Sequence, residues 1–255
     1  MSQSIEISLV TANFGRGVPA AEVRENMQRL HDEAPGAFIG FQEINEANPG
    51  VDRESLILTE FDPPHTALTD YAFAALEDGP PWKKATPIAV PPTWELVSSS
   101  VQKTSDGLAK GTPNRVVVTA RCRSRQQPDF PPLLFLNGHY PLDHSHKHPA
   151  LNAELRQRWQ DCQAAWVRRV KKLHEKSDLT ILTTRDTNHG KGMPPIHPEE
   201  NQLLDDALID RISVIPAKAD SPNRVTVKVL EKRPINLTID GHNAHLVHLR
   251  LTSAS

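Results

Sequence analysis

Short apolar runs recur along the chain, and several of them end abruptly on a carboxylate, a carboxamide or an imidazole. ISLVTAN closes on Asn13, FIGFQE on Glu43, LLFLNGHY on His139, LTILTTRDTN on Asp186 and Asn188, ALID on Asp210, and INLTIDGH on Asp240 and His242. Five or six candidate strands therefore deliver a polar group where the hydrophobic segment stops. Burying such groups without partners is costly, so packing alone does not explain them. A metal-dependent site that cleaves phosphate esters does.

The same pattern sets the elements. Residues 5–11 read as a strand, and Pro19 opens a helix whose Val23, Met27 and Leu30 recur at helical spacing until Pro35 and Gly36 stop it. Residues 37–42 form a buried strand, so the chain begins as a strand–helix–strand unit. From Asn48 to Pro92 the pattern is broken by prolines, among them Pro63, Pro64, Pro80, Pro81, Pro87, Pro91 and Pro92, leaving only a weak helical turn or two around 66–77. Runs at 94–99, 114–122 and 132–138 follow without helices between them, which predicts antiparallel neighbours. The strongest helix spans about 149–175, with Leu151, Leu155, Trp159, Cys162, Trp166, Val170 and Leu173 on one stripe for packing on a sheet. Strands at 178–184, 208–215, 224–230, 234–239 and 244–251 complete the series. Two sheets packed face to face with helices outside would bury all of these runs. No linker divides the 255 residues, and one domain over 1–255 is the expectation.

Composition narrows the class. A hydrophobic share of 38% and a charged share of 24% are those of a soluble globular chain, with no run long enough to cross a membrane and no secretory leader in MSQSIEISLV. Cys122 and Cys162 have no metal-ligand spacing and read as buried thiols in a reducing, cytoplasmic compartment. A net charge of -2 does not advertise a nucleic-acid binder, but an enzyme that grips phosphate locally needs only a basic rim.

The polar strand ends carry the candidate chemistry. Glu43 is a hard oxygen ligand suited to magnesium or manganese. Asp186 and Asn188 lie two apart in an extended segment and can converge on one group, to orient a water or hold developing charge. His139 can donate to a phosphoryl oxygen, whereas His144, His146 and His148 read as an exposed loop without the spacing of a zinc site. His242 is a natural base near neutral pH, with Asp210 as its supporting carboxylate, and His245 and His248 read as structural histidines. The chain has no nucleophile elbow, P-loop or HExxH.

In this order the motifs TANFG, GFQE, NGHYP, RDTN, LIDRI and DGHNAHLVHLRL resemble the endonuclease/exonuclease/phosphatase superfamily, the fold of pancreatic-type deoxyribonuclease, from Asn13 to Leu251. The resemblance implies an α/β (α+β) fold: a four-layer α/β/β/α sandwich of two packed, mixed, mostly antiparallel sheets with outer helices. It implies a Mg2+ site, with Mn2+ as a substitute, built on Asn13, Glu43 and Asp240. It also implies His139, Asp186, Asn188, Asp210 and His242 as catalytic residues. Two departures stand out: Arg185 replaces the family glycine of GDxN, and Gly241 displaces the terminal carboxylate to Asp240.

The expected function is a metal-dependent phosphodiesterase, foremost a monomeric nuclease acting on DNA. Arg16, Lys110, Arg115, Lys147, Arg185 and Lys191 are candidates for a phosphate track. Competing readings are a small-molecule or lipid phosphoesterase of the same fold, and a catalytically impaired module that binds nucleic acid or protein. Magnesium-dependent turnover separates the last from the others.

Overall fold

The computed structural model describes residues 2–15, 20–43, 68, 70–75, 86–107, 114–146, 149–189, 192–204, 209–238 and 243–253. Strand β1 (Ser4–Asn13), helix α1 (Ala20–Glu33) and strand β2 (Phe38–Gln42) form the expected opening unit. Two short strands, β3 (Ala72–Ala74) and β4 (Ile88–Val90), precede β5 (Trp94–Ser105), β6 (Arg115–Ser124) and β7 (Leu133–His139). Helix α2 (Asn152–Ser177) leads to β8 (Ile181–Asp186), β9 (Asn201–Gln202), β10 (Asp210–Ile215), β11 (Val225–Ile235) and β12 (Ala244–Ser253). Among the described residues these make two six-stranded sheets, ordered β11-β12-β1-β2-β4-β3 and β5-β6-β7-β8-β10-β9. Both are mixed: β1 and β2 run parallel, as do β7 and β8, while the other pairings are antiparallel. The four-layer sandwich is therefore the observed fold.

Each helix covers the outer face of one sheet. Val23, Met27 and Leu30 of α1 pack with Val10, Ile39 and Phe41, and Leu155, Trp159, Cys162, Trp166 and Val170 of α2 pack with Leu134, Leu136 and Ile181. Both cysteines are buried free thiols, and burial raises the Cys162 pKa to about 12. The described helices include none long and apolar enough to cross a membrane.

Three expectations change. The weak helix around 66–77 is replaced, within its described part, by strand β3, whose three residues pair with β4. The runs at 224–230 and 234–239 are not two strands, because β11 continues through Pro234 to Ile235. A proline lacks the N–H of a central strand, but β11 lies at the sheet edge, where that donor is dispensable. Strand β4 and the two-residue β9 were not expected, being too short to show a period.

Between the sheets, each strand changes character along its length. Alternate residues face inward, and on β7 these read Phe135, Asn137, His139; on β8 they read Leu182, Thr184, Asp186; on β1 they read Leu9, Thr11, Asn13. The apolar level is closed by rings such as Phe38 and Phe135, stacked with centroids 3.9 Å apart. Above it lies a buried amide layer. The Asn137 carboxamide crosses between the sheets and donates to Phe41 O (2.7 Å), Thr86 O (3.0 Å) and Pro87 O (3.1 Å). Its oxygen accepts from Gln42 Nε2 (2.7 Å) and Thr184 Oγ1 (3.0 Å). Gly40 makes this approach possible, since a Cβ there would stand 2.0 Å from Thr184 Oγ1.

Replacing Asn137 by leucine keeps the volume but leaves these buried partners unsatisfied. Urea unfolding should show a loss of roughly 3 kcal/mol. A loss below about 1 kcal/mol would mean that the amide layer does not hold the sheets together.

Candidate active site

The charged level sits directly above the amide layer. On the second sheet, His139 of β7 pairs in register with Asp186 of β8, and Asp186 with Asp210 of β10. Registered partners project to the same face, so an imidazole and two carboxylates stand in one row. On the first sheet, Asn13 pairs with Gln42, and Glu43 is the next residue along. Asn13 closes the gap between the sheets, donating from Nδ2 to Asp186 Oδ2 at 2.6 Å while its Oδ1 accepts from Gly15 N at 2.8 Å. His139 Nε2 lies 3.6 Å from Asp186 Oδ2 and 3.9 Å from Glu43 Oε1.

Asn188 completes this group. Its Nδ2 lies 2.7 Å from His139 Nε2 and donates to Tyr140 O at 2.8 Å, and its backbone N–H donates to Asp186 Oδ1 at 2.9 Å. An amide donor facing Nε2 fixes that nitrogen as the acceptor in the neutral ring. Glu43 (φ 60) and Asn188 (φ 47) are two of the non-glycine residues in the left-handed region. Asparagine tolerates that region and glutamate pays more for it, so the turn after β2 holds the Glu43 carboxylate at a conformational cost.

Six sequence-predicted residues are thus brought to one end of the sandwich: Asn13, Glu43, His139, Asp186, Asn188 and Asp210. Asp240 and His242 lie outside the described residues. The flanking chain is fixed on both sides: Thr238 N donates to Asn26 Oδ1 of α1 at 2.8 Å, and β12 re-enters with His245 paired to Thr11. The expected support of His242 by Asp210 accordingly has no described counterpart. Instead His245 Nε2 stands 4.0 Å from Asp210 Oδ2. Of the two histidines read as structural, His248 is held by Ser8 and Glu6, whereas His245 faces the site. Strand alternation, applied inward from His245 to Val247, was the signal that would have found it.

The electrostatics are those of buried like charges. Burial raises the Asp210 pKa well above its ordinary value; the neighbouring Asp186 adds to the shift and Arg211 opposes it. Asp210 Oδ1 is buried without a hydrogen-bond partner among the described residues. Burial also lowers the pKa of His245, keeping that ring neutral. Among the described residues no three His, Cys, Asp or Glu side chains form a ready metal cage. The oxygens of Glu43, Asp186 and Asn13 nevertheless suit a hard cation, because magnesium needs only one or two carboxylates and keeps water and phosphate for its other positions.

Arg185 is not a rim residue. It neighbours the inward-facing Asp186 and so points to the opposite face of β8, under α2, where it is fully buried. Its guanidinium is bonded to Glu200, whose other oxygen accepts from Ile196 N, and it lies 5.7 Å from the centre of the Trp166 ring. Arg115 is likewise buried, and Arg16, Lys110, Lys147 and Lys191 lie outside the described residues. The phosphate track therefore loses Arg115 and Arg185.

The fold is that of endonuclease/exonuclease/phosphatase family proteins. One such protein, from Bacteroides vulgatus, superimposes with a TM-score of 0.65 at 13% identity, over 96% of this chain and 98% of that one. Truncated TDP2 from Caenorhabditis elegans gives 0.60 at 10% identity, over 96% and 97%. The Bacteroides thetaiotaomicron mannosyl-6-phosphatase Bt3783 gives 0.51 at 13% identity, over 96% and 98%. By sequence the chain matches no family model and no curated protein.

Two outcomes follow. Arg185→Gly should strand the buried Glu200 and cost about 3–5 kcal/mol in urea unfolding; a neutral result would show the pair to be dispensable. For Asp210 the folded pKa exceeds the unfolded one. Its contribution to stability is therefore full below the ordinary carboxylate pKa and is lost as pH rises through the folded value. In EDTA, Asp210→Asn should flatten that decline as pH rises above the ordinary carboxylate range. Parallel stability curves for the two proteins would contradict the assignment.

Proposed function

We propose that the protein is a divalent-metal-dependent phosphoester hydrolase, and that its substrate is a phosphodiester, with DNA the first to test. The reading is carried by the convergence of Asn13, Glu43, His139, Asp186, Asn188 and Asp210 at one end of the sandwich, from strands of both sheets. Glu43 and Asn13, with Asp240, would hold the ion. When bound, a divalent ion polarises a phosphoryl oxygen and eases departure of the leaving oxygen. Asp186, fixed by Asn13 and by the Asn188 N–H, orients the attacking water and accepts its proton. His139, held in place by the Asn188 amide, would stabilise the charge that builds on the phosphoryl group, a preorganised electrostatic arrangement. His242 would add a second imidazole.

One observation favours a second reading, a phosphatase or phosphodiesterase for small molecules. With Arg115 and Arg185 buried, no described cation of the proposed track faces a long polyanion. A protein of this fold also carries the name mannosyl-6-phosphatase.

A panel of plasmid DNA, single-stranded DNA, RNA, bis(p-nitrophenyl) phosphate and sugar phosphates, each with magnesium or EDTA, tests both. Activity confined to magnesium is expected, and turnover of sugar phosphates alone would select the second reading. Glu43→Gln should lower kcat about a hundredfold or more with little change in the unfolding midpoint, since the lost charge serves the ion. Wild-type turnover by this variant at limiting magnesium would remove Glu43 from the ion's ligands. No turnover across the panel would favour the binding module.

A further inference from the structure

The chain leaving His139 and the chain leaving Asp186 meet again a few residues on, in a cluster that the proposed hydrolysis does not use. Asp143 Oδ2 lies 2.8 Å from His189 Nδ1, and its other oxygen is bonded to the His144 ring. Burial acts to raise the Asp143 pKa, but the hydrogen bonds to His144 and His189 outweigh it and hold the carboxyl below its ordinary value. The His189 ring lies against Trp159 of α2, the two rings tilted by 35° with centroids 4.7 Å apart. Trp159 is itself fixed, donating from Nε1 to Thr187 O at 2.8 Å. One tryptophan therefore holds both neighbours of Asn188, the residue whose amide reaches His139.

This cluster differs from a packing contact. The His189 side chain is 30% exposed, and with Nδ1 on Asp143 its Nε2 makes no bond to any described residue. In an imidazolium both nitrogens donate, so a ring held through Nδ1 on a carboxylate can offer its Nε2–H to an anion. The cluster also lies on the helix side of the second sheet, while Glu43 and Asn13 come from the first sheet. His189 directly follows Asn188, whose Nδ2 lies 2.7 Å from His139 Nε2.

We propose that His189, backed by Asp143 and seated on Trp159, is a substrate-contacting residue that binds a second phosphate next to the one cleaved. The proposal rests on the phosphoester reading above and narrows it to substrates with neighbouring phosphates, such as oligonucleotides or diphosphate-containing esters. A substrate with a single phosphate would leave His189 idle.

Two measurements test it. In hydrolysis, His189→Gln should raise KM for a 5′-phosphorylated dinucleotide about tenfold while leaving kcat, and both constants for bis(p-nitrophenyl) phosphate, near wild type. Equal kcat losses on both substrates would make His189 a brace for Asn188 and overturn the proposal, as would no change on either. In titration calorimetry of EDTA-treated protein near pH 6, inorganic pyrophosphate should bind wild type about tenfold more tightly than His189→Gln. Equal binding, or none by wild type, would overturn the proposal whether or not hydrolysis is found. Wild-type binding without hydrolysis of any ester would instead leave the anion site standing and remove the hydrolase reading.

Discussion

The Asn137 carboxamide is the contact on which the arrangement of the site depends. Its group joins β7 to three backbone carbonyls of the other sheet and to the side chains of Gln42 and Thr184. Hydrogen bonds are directional, unlike the stacking of Phe38 on Phe135 one level below, so they fix the offset between the sheets as well as their separation. That offset decides whether Asn13, on one sheet, reaches Asp186, on the other, at 2.6 Å. Gly40 is the cost of the arrangement, because only a residue without a Cβ leaves room for the amide layer. The site is thus the top course of a graded interface, apolar below, amide in the middle and charged at the rim.

Placing charge above that layer creates a conflict that the other described residues do not fully offset. Asp186 and Asp210 are registered neighbours, both buried, and Asp210 is pushed towards its neutral form. His139, Asn13 and the Asn188 N–H compensate Asp186, whereas among the described residues Arg211 is the charge that opposes the shift of Asp210, and His245 stands 4.0 Å away. A core built for stability alone would not keep two carboxylates in that position. The left-handed Glu43 and Asn188 belong to the same pattern: strain concentrates where a strand end must turn its side chain back over the sheet edge.

Much of this was legible in the sequence because a strand's period is short. Inward and outward residues alternate, so an apolar run that stops on Asn13, His139 or Asp186 already places those groups at a strand end. The pairing between sheets was not legible. Asn137 and Gln42 stood in the motifs as mere flanks of His139 and Glu43, since nothing local reveals that two amides 95 residues apart will meet. Arg185 was misplaced for the opposite reason: as the neighbour of Asp186 it must face away from the site, and alternation would have said so. The break at Pro234 was read as a strand boundary because sequence does not tell an edge strand from a central one. The terminal motif with Asp240, Gly241 and His242 lies outside the described residues.

Arg185 also shows how a large charged side chain beside the site can be absorbed. A glycine at that position would leave space between β8 and the covering helix, and this chain fills the space with a guanidinium. The charge is balanced by Glu200, which Ser213 and the Ile196 N–H also bind, and the guanidinium lies against Trp166. Gly138 on the neighbouring strand admits the same indole, since a Cβ there would come within 2.7 Å of its ring. The large side chain is therefore accommodated by small ones beside it, on the face opposite the site. Because β8 carries Asp186 on its other face, the Arg185–Glu200 pair braces the strand from behind without entering the chemistry. The substitution thus changes what holds β8 in place while leaving its inward-facing residues, Leu182, Thr184 and Asp186, as the sandwich requires them.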